Sequence, residues 1–461
     1  MRTLIKNGTV VTENEIKTAD VLIEDEKISA IEKSLNISSA NTIDASGLYV
    51  FPGGIDVHTH LDLDVGITVS SDDFYSGHIA AAFGGTTTHI DFPTPRKGET
   101  LRSAFDEWLN KAEGKAIIDY GFHMSVIEVN NHILKEMEAL PSWGITSIKV
   151  YMAYKNILQL NDEEIYRVMQ VAARKNITVL VHAENGDVVD FNVRSLIAEG
   201  KTEPKYHALS RPPLLEAEAV NRAIYLANAA GANVYIVHVT AEESLNQIVE
   251  ARRRGLKVLA ETCPQYLFLD DSYLELPDFE SAKYICSPPL RKKKDNEALW
   301  DGLKKGELQI VSTDHCPFNF HGQKDLGREA FNKIPNGLPG IEDRIPLLFS
   351  EGVGKNKLTL NQFVKLISTN PAKLFGLFPR KGTLREGSDA DIFLLDPKAE
   401  RTISATTHHM NVDYNPYEGM KIKGEITHVF RRGELLVEHK NFLGTKGSGK
   451  YLQRKTFNSN N

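Results

Sequence analysis

The feature that most constrains this chain is a rhythm. Between residues 54 and 315, the apolar runs "GIDVHTH", "TTTHIDF", "IDYGFHM", "SIKVY", "TVLVHAE", "VYIVHVT", "KVLAET" and "LQIVSTDH" are set apart by stretches such as "LRSAFDEWLNKA", "DEEIYRVMQVAARK", "EAEAVNRAIYLANAA" and "AEESLNQIVEARRRG". Short runs rich in β-branched residues read as strands buried on both faces, and the stretches between them carry helical periodicity. Eight strand-helix repeats predict an α/β fold, a (β/α)8 TIM-like barrel. The ends of the chain read differently. "TLIKNGTVVT", "ADVLIEDEKISAIE" and "NTIDASGLYV" alternate apolar with polar residues and break at Asn-Gly and Ser-Gly, and "GTLREGSDADIFLLD" and "HVFRRGELLVEH" resume that style near the C-terminus. They predict a smaller β-sandwich domain built from residues 1–52 and 378–461, with the barrel spanning 53–377. A chain of 461 residues is long enough for both.

Barrels of this kind keep their chemistry at the C-terminal ends of the strands. His58 and His60 end the first strand, spaced so that both rings share one face; Lys149 lies in the fourth, His182 in the fifth, His238 in the sixth, and Asp314 ends the eighth. All six are expected around one mouth. His89 and His123, in the second and third strands, have no evident partner and read as structural. Four imidazoles and a carboxylate suit a borderline divalent ion, zinc above all, with manganese, iron or nickel admitted by ligand type. Five such ligands overfill one open site, so two ions about 3.5–4 Å apart are expected.

A bridge between two cations must be anionic and two-toothed, whereas plain lysine, with a pKa of about 10.4, would repel both. Addition of CO2 to the Lys149 amine gives an N-carbamate with two charged oxygens, and this is the bridge expected here. Such a centre makes hydroxide near neutral pH and polarises a carbonyl, so the expected reaction is hydrolysis of an amide-like bond, with Asp314 moving the proton from the bridging hydroxide to the leaving nitrogen.

Composition removes other classes. A net charge of −7 leaves no basic stripe for nucleic acid, and no run of 18 apolar residues suggests a membrane span. The three cysteines, Cys263, Cys286 and Cys316, fall in no CxxC spacing, and "MRTLIKNGTV" lacks the apolar run of a secretory signal, so a cytoplasmic location is expected. The polar, basic tail "KGSGKYLQRKTFNSNN" reads as a loosely held terminus.

The motifs "PGGIDVHTHLD", "AAFGGTTTHIDF", "SIKVYMAYKN", "VHAENGD", "VHVT", "ETCPQYL", "CSPPLR", "STDHCPF", "IPNGLPGIEDR" and "LFGLFPRKGT" resemble those of the cyclic amidohydrolases, most closely the bacterial hydantoinase and dihydropyrimidinase group. The resemblance implies that His58, His60, carbamylated Lys149 and Asp314 hold one ion, and Lys149, His182 and His238 the other. It makes Tyr154 the donor to the oxyanion, and gives the backbone at Ser287 and Asn336 to the ring amide and imide. It implies ring opening of hydantoins or dihydropyrimidines to N-carbamoyl amino acids, in a homotetramer or homodimer joined partly near "HHMNVDYNPYEGM"; His408 and His409 in that stretch read as structural. An allantoinase-like ureide hydrolase is the alternative, and a non-catalytic scaffold relative is a further one that the full ligand set argues against. Relatives acting on dihydroorotate carry an arginine where this chain has Asp62, which is expected to repel an anionic ring and so to favour a neutral one. The loop "LDLDVG", with Tyr151 and Leu158, leads to an expectation of weaker activity on phenyl-substituted than on small-substituted hydantoins.

Overall fold

In the computed structural model, which describes residues 2–457, the apolar runs in the middle of the chain are parallel strands. One ladder runs Gly54–Thr59, Thr86–Asp91, Asp119–Phe122; a second runs Met124–Ser125, Ser147–Tyr151, Thr178–His182, Val234–Ile236, Val258–Thr262, Ile310–Val311. His123 alone separates the two ladders in the chain, and beyond the last strand His315 makes a parallel bridge to Thr59 of the first. Ile55, Val57, Ile90, Phe92, Leu180, Tyr235 and Ile310 gather in one cluster distinct from the layer that faces the helices. Both faces of the strands are therefore covered.

The helices follow from their own patterning. Asp162–Lys175 opens on a capping box of Asn161 and Glu164, buries Ile165, Val168, Met169 and Ala172 on one side, and stops at Asn176 in the left-handed conformation. Two strands are shorter than the apolar runs suggest: "VYIVHVT" is paired only over Val234–Ile236 and "LQIVSTDH" only over Ile310–Val311. The cause lies just beyond each, where His238 and Asp314 take positive φ angles of 37° and 52° that a ladder cannot continue through.

Both chain ends share one nine-stranded sheet. Its seam is Tyr49–Pro52, parallel to Arg2–Val11 on one side and antiparallel to Ile392–Thr402 on the other, with Phe51 opposite Phe393. Register shifts at Ile5/Gly8 and Asp396/Glu400 mark where it bends, and Ile5, Val21, Val50, Ile392 and Phe430 form a core of their own. Buried Lys381 fastens this sheet to the parallel strands, lying 2.8 Å from Asp119 and 3.3 Å from Asp389.

The tail corrects an expectation. Residues 449–457 are docked rather than loose: Tyr120 N–H donates to the Lys450 carbonyl (3.0 Å), Leu452 N–H donates to Tyr120 (2.7 Å), and Arg454, 4% exposed, donates to the Phe122 carbonyl and to Ser147 Oγ (2.9 Å). The tail therefore lies between the Asp119–Phe122 and Ser147–Tyr151 strands, which accounts for the break between the two ladders. Residues 458–461 of the expected loose terminus lie outside the described residues. No helix among the described residues is long and apolar enough to cross a membrane.

Candidate active site

The strand ends bring the six sequence-selected residues together. His58 Nε2 and His60 Nε2 lie 3.2 and 3.1 Å from Asp314 Oδ1, Lys149 Nζ lies 2.9 Å from His58 Nε2, and His182 Nδ1 lies 2.9 Å from His238 Nε2. Ligand atoms of His58, His238 and Asp314 fall within 4.8 Å of one another. Imidazole nitrogens, a carboxylate oxygen and the Lys149 amine thus converge within hydrogen-bonding distance of one another. The donor set fits divalent cations.

Two carboxylates that sequence reading missed orient this set. Glu261 accepts from His58 Nδ1 (2.5 Å) and from the Tyr235 hydroxyl (2.8 Å), while Glu184 accepts from His182 Nε2 (2.7 Å) and from Arg211 (2.7 Å). Each commits one ring nitrogen as a donor, which leaves His58 Nε2 and His182 Nδ1 with lone pairs turned to the centre. The signals lie in the sequence: "VHAE" puts a carboxylate two residues after His182, and "VLAET" carries one inside an apolar strand. Asp56 adds a tie between strands, accepting from the Thr313 hydroxyl (2.7 Å) next to Asp314.

Burial dominates the electrostatics. It pushes His58 and His238 well below the usual imidazole range and the Lys149 amine down to about 8, and it pushes Glu261 up to about 7. Burial would raise Asp314 too, but His58 and His60 outweigh it and hold the carboxyl far below its ordinary range. Backbone strain marks the same place. Tyr154 (φ 65°), His238 and Asp314 all sit in the left-handed region, at a cost of about 1–3 kcal/mol each that persists only where surroundings enforce it.

The second group also assembles. The Tyr154 ring lies 5.1 Å from that of His182. Ser287 Oγ donates to Asn336 Oδ1 at 3.2 Å. Nearby, Tyr151 is buried with its hydroxyl 3.4 Å from Ser125 Oγ, and Leu158 lines an open cavity of about 270 Å³ with Leu63, Thr94, Trp108, Ile127 and Ile157.

The four histidines read as structural are occupied elsewhere. His89 is bonded to Thr59 and His78 (both 2.8 Å), His123 to Ser147 and the Val57 carbonyl, His408 to the Val412 carbonyl, and His409 to Glu342. The Asp62 carboxylate lies 3.7 Å from the Lys115 ammonium, whose closer partner is Asp73 at 2.9 Å, so the negative charge expected to repel an anionic ring is only partly offset.

Comparison with known proteins agrees with this geometry. The profile described as "Amidohydrolase family" matches residues 49–436. The chain is 55% identical to the D-hydantoinase of Geobacillus stearothermophilus, covering 99% of this chain and 97% of that protein. It superposes on a crystal structure of dihydropyrimidinase from Brevibacillus agri with a TM-score of 0.98 at 55% identity, covering 99% of this chain and 100% of that one. A crystal structure of D-hydantoinase gives the same TM-score and identity, with 100% of each chain covered.

Proposed function

The chain belongs to the amidohydrolase family, and from that premise we propose that it hydrolyses cyclic amides, opening hydantoin and dihydropyrimidine rings to N-carbamoyl amino acids. The observation that carries this reading is the convergence of His58, His60, Lys149, His182, His238 and Asp314 at one mouth in a chain so similar to a D-hydantoinase. The architecture proposed is a closed (β/α)8 barrel over residues 53–377 and a β-sandwich domain from 1–52 and 378–461. The Thr59–His315 bridge and the inner apolar cluster support closure.

Two divalent ions, zinc or manganese, are assigned to this site. His58, His60, Lys149 and Asp314 would hold one, and Lys149, His182 and His238 the other, with Lys149 carboxylated by CO2. The buried amine supports that modification, because only neutral lysine adds to CO2 and burial favours the neutral form. When bound, the ions supply Lewis acidity that acidifies water and polarises a carbonyl. The protein does the rest. Asp314 is assigned as the carrier that takes a proton from the attacking water and delivers it to the ring nitrogen as the C–N bond breaks. Tyr154, whose hydroxyl burial keeps protonated well beyond neutral pH, donates to the carbonyl oxygen as it gains charge. The backbone at Ser287 and Asn336 holds the amide and imide of the ring. The proposed enzyme is a cytoplasmic homotetramer or homodimer acting on a neutral small molecule.

Rates on hydantoin, dihydrouracil and allantoin test the assignment. Higher kcat/KM on either of the first two than on allantoin is expected; a preference for allantoin would move the reading to a ureide hydrolase, and no ring opening at all would overturn it.

A further inference from the structure

The carbonyls around Ser287 are pinned one by one. Lys324 Nζ donates to the Ile285 carbonyl (2.9 Å), His207 Nε2 to Cys286 (2.8 Å), and the Tyr266 hydroxyl to Pro288 (2.8 Å). Among the described residues, the Ser287 carbonyl between them accepts no hydrogen bond, which leaves it free for a ring N–H. Lys324 makes a second contact, 3.0 Å from the carbonyl of Pro335, the residue before Asn336. One side chain thus spans both segments that face the ring. The Asn336 segment is closed in from behind as well: Gly337 has φ 148°, and a Cβ there would sit 2.2 Å from the Cys316 carbonyl oxygen. Lys324 is 0% exposed, and among the described residues its amine meets two backbone carbonyls and forms no ion pair with a carboxylate. Burying a lysine without a counter-ion is costly, so its two carbonyl contacts are what compensate it. Burial pushes its amine down to about 7, and either form has N–H groups enough for both carbonyls.

We propose that Lys324 is a positioning residue that sets the gap between Ser287 and Asn336 and thereby the affinity for the cyclic imide. This rests on the functional reading above, in which those two segments hold the ring. Without the amine, the Pro335 carbonyl is left buried and unpaired, and the two segments keep only the Gly337 N–H bond to the Ile285 carbonyl (3.0 Å) and the Ser287–Asn336 contact (3.2 Å), so their spacing loosens while the strand-borne residues stay where they are.

The test compares wild type with Lys324→Met, both loaded with zinc and bicarbonate, on dihydrouracil and hydantoin. Loss of the paired hydrogen bonds is expected to raise KM about tenfold, with kcat within about threefold and metal content unchanged. An unchanged KM, or metal lost in step with activity, would overturn the assignment. Should Lys324→Met fail to fold, Lys324→Gln carries the same test: a shorter side chain that cannot reach both carbonyls should raise KM at least about threefold, and wild-type KM would refute the proposal. A wild type that opens neither ring sinks the functional reading itself, whereas ring opening with an unchanged KM in the variants sinks only the role of Lys324.

Discussion

The two sides of the mouth are held by different means. His58, Lys149 and His182 stand on strands whose backbone is fixed by ladder hydrogen bonds, and their direction follows from the alternation of side chains. Ser287 and Asn336 stand on irregular loops, and their backbone is held by buried donors from three distant elements, Lys324, His207 and Tyr266. The contrast teaches where damage should travel. A change on the strand side should disturb metal and chemistry, while a change on the loop side should disturb recognition of the ring.

The sharpest way to break that division is Asp314→Asn, which keeps a side-chain oxygen at the site but removes the proposed proton carrier. Its kcat should fall by a factor on the order of 10⁴ with little change in KM. A variant that lost affinity instead would put Asp314 on the recognition side. Next is Glu261→Gln, which leaves every proposed ligand in place yet removes the carboxylate behind His58. Titration with zinc against a chelator should show metal bound about 10–100-fold more weakly, and unchanged affinity would mean that the strand alone orients the ring.

Arg454→Ala tests a third region, the tail wedged between strands. Thermal unfolding should begin lower, by about 3 °C or more, while the folded enzyme keeps its KM. A large KM change there would show that the lower end of the strands and the mouth are not independent. The smallest effect concerns the cavity beside Leu158. Methyl-substituted hydantoin should exceed the phenyl compound in kcat/KM by about threefold, and the opposite order would show that Tyr151 and Leu158 do not restrict the ring's substituent.

Legibility in the sequence divides along the same line. Period-two and 3.6-residue patterns suffice to read the parallel strands, the helices between them and the pairing of the two chain ends, because those elements are dictated by local alternation. They also suffice to place His58 and His60 together, since the two share a face by spacing alone. Glu261 is marked by a carboxylate inside an apolar strand and Glu184 by one just past the end of another. Lys324 could not have been found. A lysine in "HGQKDLG" looks like any loop lysine, and only the three-dimensional path that buries it against Ile285 and Pro335 gives it a role. The docking of Arg454 was hidden for the same reason. Polar composition reads as exposed terminus unless the gap it fills is known.

The account stands on Lys149 as the carboxylated link between two ions, and elemental analysis of protein produced with zinc and bicarbonate examines that directly. Wild type should carry two ions per chain, and Lys149→Ala should lose them together with the activity. A Lys149→Ala protein that keeps both ions and the full rate of ring opening would contradict it.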